Sequence, residues 1–139
     1  MTIDVQSTLG IQAGTWTIDP SHSEAGFVAR HLMSKVRGLF ETFEGQIVTG
    51  AEPSATATID LNSINTRDEN RDAHLRSKDF FDVENNGPMT FASTKVEQGG
   101  KGLLVTGDLT IKGVTRPVTL DVEYFGTDTD PWGGTRIGF

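Results

Sequence analysis

The chain has no cysteine among its 139 residues, so it can build neither a disulfide framework nor thiolate chemistry. No apolar run approaches the ~20 residues that span a bilayer. Basic residues are scarce: 12 Lys and Arg face 19 Asp and Glu, and the net charge is −7. That balance opposes nucleic acid, which calls for a basic footprint, and opposes docking by charge on anionic lipid. The opening MTIDVQSTLGIQAG lacks the basic start and apolar core of a secretory leader. These features give the expectation of a cytoplasmic protein with no membrane span. Nucleotide-binding glycine motifs after a strand are absent, and so is a G-x-S-x-G elbow.

What is present alternates with period two. Residues 1–13 show no sustained period and are expected to form an arm, with one domain over 14–139. Within that domain, TWTID, SEAGFVARH, LFETFEGQIVT, ATATIDLNSI, MTFASTKVE, LLVTGDLTI and RPVTLDVEYF read as strands, and TRIGF begins another. LMSKVRG reads as a linker. Turn signals such as DPSH, EPSA, QGGKG and KGVT separate these stretches. About eight strands joined by short turns predict an antiparallel barrel or sandwich. Alternation assigns Ala25, Phe27 and Ala29 to one face, with Phe43 and Ile47, Ala57 and Ile59, Phe91, Val105 and Leu109, and Val118 and Leu120 on matching faces. Small side chains at one end of ATATIDLNSI hint at space, because a filled core wants larger ones.

One stretch breaks the pattern. RDENRDAHLRSKDFFDVE, residues 67–84, reads as a charged helix from about Arg67 to Ser77 followed by a loop. Thr66 is the expected N-cap, with Glu69 completing a capping box. Asp72 and Arg76 are spaced for an i,i+4 ion pair. Surface charges do not explain Phe80 and Phe81, which are expected to bury against the sheet.

Catalytic signals are weak. His22 and His31 sit at opposite ends of one strand with opposite parity, so they point to different faces and cannot share a metal. Ser21 and Ser23 flank His22 but point away from it, and Glu41, Glu44 and Asp60 read as solvated carboxylates. No enzyme activity, metal or cofactor is expected.

Three stretches carry a family resemblance. They are WTIDPSHSEAGFVARHLMSKVRGLFETFEG (16–45), INTRDENRDAHLRSKDFFDVENNGPMTF (64–91), and LTIKGVTRPVTLDVEYFG (109–126) with DPWGGTRIGF (130–139). Through them the chain resembles the YceI-like family of lipocalin-like, polyisoprenoid-binding bacterial proteins. The resemblance implies an all-β, antiparallel, lipocalin-like barrel of about eight strands with one helical insert. It also implies a long apolar cavity holding a polyprenyl chain, an isoprenoid quinone or a fatty ligand, and no enzymatic activity. On this reading the strand faces named above, with Phe80 and Phe81, wall the cavity. Arg30, His31, Arg71, His74 and Arg76 are placed to meet a polar head group. Relatives of this kind continue past WGGTRxGF, so the barrel is expected to be incompletely closed at its C-terminal side. An open edge invites pairing with a second copy, which predicts a homodimer. The alternative function is a protein-interaction module using the acidic surface or the open sheet edge.

Overall fold

A computed structural model describes residues 10–31, 33–100 and 102–139; the side chain of His31 lies outside what is described. Among the described residues there are eleven strands, all paired antiparallel. In chain order they are β1 (Gly14–Thr17), β2 (Ala25–His31), β3 (Ser34–Phe40), β4 (Phe43–Thr49), β5 (Ser54–Ile59), β6 (Ile64–Asn65), β7 (Met89–Gly99), β8 (Gly102–Ile111), β9 (Val114–Glu123), β10 (Gly126–Thr129) and β11 (Thr135–Gly138). Among the described residues one α-helix, α1 (Glu69–Arg76), interrupts them. The main sheet has six strands in the order β1-β4-β5-β7-β8-β9; β2-β3-β6 and β10-β11 form two smaller sheets. The all-β antiparallel class expected from the sequence is therefore present, but the barrel is not closed. Among the described residues, β1 and β9 are the free edges of the main sheet.

Local chemistry explains the strand joints. β8 turns into β9 through Lys112 and Gly113, both at positive φ (53° and 75°), the backbone that matches the twist of a two-residue hairpin. The linker expected over LMSKVRG is instead mostly strand. Ser34 to Phe40 pair with β2, and Gly38 is buried beneath the Phe27 ring, where a Cβ would stand 2.3 Å from Phe27 Cζ. Strand β7 carries a bulge between Ser93 and Lys95. An extra residue there changes which side chains face inward, so Phe91 and Val96 both reach the core, although simple alternation would have sent Lys95 there.

The core has two centres. One gathers Phe91, Val96, Leu103 and Val105, with Leu109 and Val118 packed against it. The other gathers Phe40, Leu61 and Ile64, with Phe27, Leu75 and Phe81 against it. Of the expected N-terminal arm, residues 1–9 lie outside the described residues; in the remainder, Ile11 is 1% exposed and belongs with the most buried side chains.

The charged insert is held differently from the expectation. The N-cap of α1 is Asp68, which accepts from the amides of Asn70 and Arg71 (3.1 Å each); Thr66 is not the cap. Arg67 at φ 65° turns the chain between the two. Thr66 is buried, and its amide (2.9 Å) and hydroxyl (2.5 Å) donate to Asp72 Oδ1. Asp72 therefore makes no i,i+4 pair with Arg76. Arg76 reaches across to the carbonyls of Asn62 and Ile64, both at 2.9 Å, and Arg71 holds the hydroxyl and carbonyl of Thr66, both at 2.8 Å. Backbone carbonyls leaving the sheet need donors, and these two arginines supply them. Among the described residues no helix is long and apolar enough to cross a membrane.

The packing makes one position decisive. A Cβ on Gly107 would lie 2.5 Å from Phe91 Cζ and 2.6 Å from the Ala92 carbonyl oxygen, whereas one on Gly87 meets open space. Gly107→Ala is expected to lower unfolding stability by about 1–3 kcal/mol in urea denaturation, the range for overpacking a filled site. Gly87→Ala is expected to change it by less than about 0.5 kcal/mol. Equal effects of the two would contradict the packing described.

Candidate functional site

The inner face of the main sheet has a gap where its side chains are smallest. Gly45 pairs with Ala57, which pairs with Phe91. A side chain on Gly45 has no room, since a Cβ would come within 2.6 Å of Ile18 Cδ1 and 2.7 Å of the Thr56 carbonyl oxygen. Ile18 can lie over this spot because its amide donates to the Gly45 carbonyl at 2.9 Å, extending β1 by one residue. On either side of Ile18 the fold is hollow.

The inner chamber, of about 230 Å³, is lined almost wholly by apolar groups, including Ile11, Val96, Leu103, Val105, Leu120 and Val122. The outer chamber, of about 940 Å³, is open to solvent and is bounded by the β1–β2 segment on one bank and the β10–β11 hairpin on the other. Ile18, Ile47, Ala57 and Phe139 line both. The two adjoin, one apolar and one polar-rimmed, and both open to solvent. The outer chamber's volume lies within the range of ligand cavities.

The structure separates the fourteen wall residues named from the sequence. Ala25, Phe43, Ile47, Ala57 and Ile59 line the outer chamber; Ile47, Ala57, Phe91, Val105 and Leu120 line the inner one. Phe27 and Phe81 pack around Phe40 instead, with ring centroids 5.5 and 6.2 Å from it, and Leu109 and Val118 pack behind the inner cluster. Ala29 is exposed. Phe80 is 48% exposed and stands edge-on to His74 rather than closing the interior, because the turn after α1 aims only Phe81 at the sheet.

The five head-group candidates do not gather at the rim. Arg71 and Arg76 are committed to backbone carbonyls, and His74 bonds Asp79 at 2.8 Å on the outer side of α1. Arg30 is exposed on β2 and lines neither chamber. The side chain of His31 lies outside the described residues.

A different polar set occupies the rim. Asp19 Oδ2 accepts from Arg136 Nη1 at 2.5 Å and contacts His22 Nδ1 at 2.7 Å, while its Oδ1 accepts from the Ser21 amide at 2.9 Å. Arg136 Nε also donates to Asp130 Oδ2 at 3.3 Å. The hydrogen bond from His22, then those from Arg136 and the Ser21 amide, hold the Asp19 carboxyl well below the usual carboxylate range. The Gly134 amide, first among several donors, lowers Asp130 in the same direction. Arg136 is raised, chiefly by its hydrogen bond to Asp19. The Asp19–Arg136 contact ties the hairpin to the body of the fold across 117 residues of sequence. Sequence reasoning missed this cluster because nothing local links positions 19 and 136; the only signal was the DPSH turn itself. Among the described residues no group of three or more His, Asp or Glu is arranged to hold a metal ion.

Residues 16–139 match the family described as the YceI-like domain. A UPF0312 protein of Vibrio parahaemolyticus is 41% identical over 94% of this chain and 74% of its own length. Protein YceI of Escherichia coli is 41% identical over 85% of this chain and 64% of its own length. Among solved structures, Burkholderia cenocepacia BcnA superposes with a TM-score of 0.75 at 30% identity, covering 81% of this chain and 74% of that one. A Campylobacter jejuni YceI protein superposes at 0.69 with 34% identity, covering 88% of this chain and 75% of that one.

The rim cluster sets a pH expectation. A carboxyl whose pKa is depressed on folding contributes stability above its unfolded pKa and loses it as pH falls through the lower folded value. Asp19 should therefore keep the hairpin docked from neutral pH down through about pH 4 and release it only in stronger acid. In hydrogen exchange, Asp19→Asn is expected to speed amides of residues 126–138 about tenfold, with β4, β5, β7 and β8 unchanged. Unaltered hairpin exchange in that variant would show that the tie does not hold the hairpin.

Proposed function

The chain belongs to the YceI-like domain family, and from that premise we propose that it is a non-enzymatic carrier or store for a long-chain lipophilic molecule, an isoprenoid or a comparable amphiphile. The observation that carries this reading is an apolar chamber adjoining a polar-rimmed one, with Ile18, Ile47, Ala57 and Phe139 in the walls of both. A molecule with a hydrocarbon tail and a polar end has that same division of character. A buried tail gains ~0.8 kcal/mol per methylene. Ten methylenes would give ~8 kcal/mol before the costs of association and ordering. One or two rim contacts add much less, so the tail governs affinity and discrimination among tails is loose. Among the described residues the inner wall offers mostly hydrocarbon, with the hydroxyls of Thr49, Ser54 and Thr56 and no carboxylate or imidazole, which suits holding a guest rather than transforming one.

The reading is tested at Ala57, which lines both chambers. Ala57→Phe fills space in both chambers and is expected to weaken binding of a long-chain probe at least tenfold, by fluorescence titration, while the circular-dichroism spectrum stays that of the parent. Phe80→Ala, at a side chain outside the hollow, is expected to leave binding unchanged. Native mass spectrometry of the purified protein should detect an apolar guest that organic solvent extracts. Full-strength binding by Ala57→Phe would place the guest elsewhere.

A further inference from the structure

We propose that the guest's polar end is a cation, a protonated or quaternary amine on a long apolar chain, received at the rim by Asp128 and Glu24. This rests on the carrier reading above and narrows it to a head-group class.

The charges of the rim carry the inference. Asp19, Glu24, Glu44, Asp128 and Asp130 line the outer chamber, and Arg136 is the one Lys or Arg that does so among the described residues. Arg136 already donates from Nε to Asp130 and from Nη1 to Asp19. Two carboxylates more than neutralise it. A phosphate or carboxylate head would have to break that pairing or sit among like charges.

Asp128 is the cross-strand partner of Arg136 in the β10–β11 hairpin, so the two side chains share the face turned toward Asp19. Asp128 Oδ1 accepts from the amide of Thr129 at 2.8 Å, and no ion pair engages the carboxylate among the described residues. Glu24 stands on the opposite bank, before β2, exposed and with no hydrogen bond or ion pair among the described residues. An ammonium between these banks meets negative charge beside an apolar wall, and such walls focus the field of the charges that line them. The chain's net charge of −7 acts in the same direction at longer range.

Three ligands with one hexadecyl tail test this: hexadecyltrimethylammonium, hexadecanol and hexadecanoate, each kept dilute enough to stay monomeric. Their affinities are read by displacement of the uncharged fluorophore N-phenyl-1-naphthylamine from the full chain. The ammonium is expected to bind about tenfold tighter than the alcohol, with the carboxylate weakest. That spread should narrow in about 1 M salt. Asp128→Asn combined with Glu24→Gln should remove most of the ammonium preference and keep the alcohol's affinity. Glu69→Gln with Glu84→Gln, away from the rim, makes the same change in net charge and should keep the preference. A carboxylate that binds as tightly as the ammonium overturns the assignment. So does a rim variant that keeps the full preference, or a control variant that loses it. Alcohol binding without ammonium preference overturns the head-group assignment alone. Binding of none of the three overturns the carrier reading as well.

Discussion

The hollow depends on a shortage of side chain at the middle of the main sheet. Where Gly45 faces Ala57, the sheet presents almost bare backbone. Ile18 settles onto that bare patch and lines both chambers. A larger residue at Gly45 would collide with Ile18 and the Thr56 carbonyl, whereas one at Ala57 would grow into the space both chambers share. The proposed function draws on the space beside that patch, where the proposed tail would lie.

Two kinds of information in the sequence survived folding unequally. Periodicity marked most of the strands, and the inward parity of Phe43, Ile47, Ala57, Val105 and Leu120 matches their place on the hollow. Parity distinguishes inside from outside; it does not distinguish a chamber wall from solid core. Phe27, Leu109 and Val118 face inward and are packed on by neighbours, for reasons set by the third dimension alone. Short strands were harder still. β3 hid behind Lys35 and Arg37, whose outward charges looked like a linker until Val36, Gly38 and Phe40 are seen facing the other way.

The charged insert shows why polar residues mislead most. Arg71, Asp72 and Arg76 look like the solvated side of an amphipathic helix. In the structure they complete the hydrogen bonding of a segment, Leu61 to Thr66, that leaves the sheet without a full set of strand partners. Residues guessed to meet a ligand are spent on backbone. The polar groups that do reach the hollow come from two turns far apart in sequence, joined by Asp19 and Arg136.

The bulge in β7 has a wider bearing. Before Ser93 the odd-numbered positions look inward; after Lys95 the even-numbered ones do, and Lys95 pairs with Glu97 on the outer surface at 3.3 Å. Thr94 thus works as a phase inverter, letting one strand serve a core whose two halves are out of step. Anyone aligning or redesigning this strand by counting in twos from Met89 would, past that point, mistake the protein's skin for its interior.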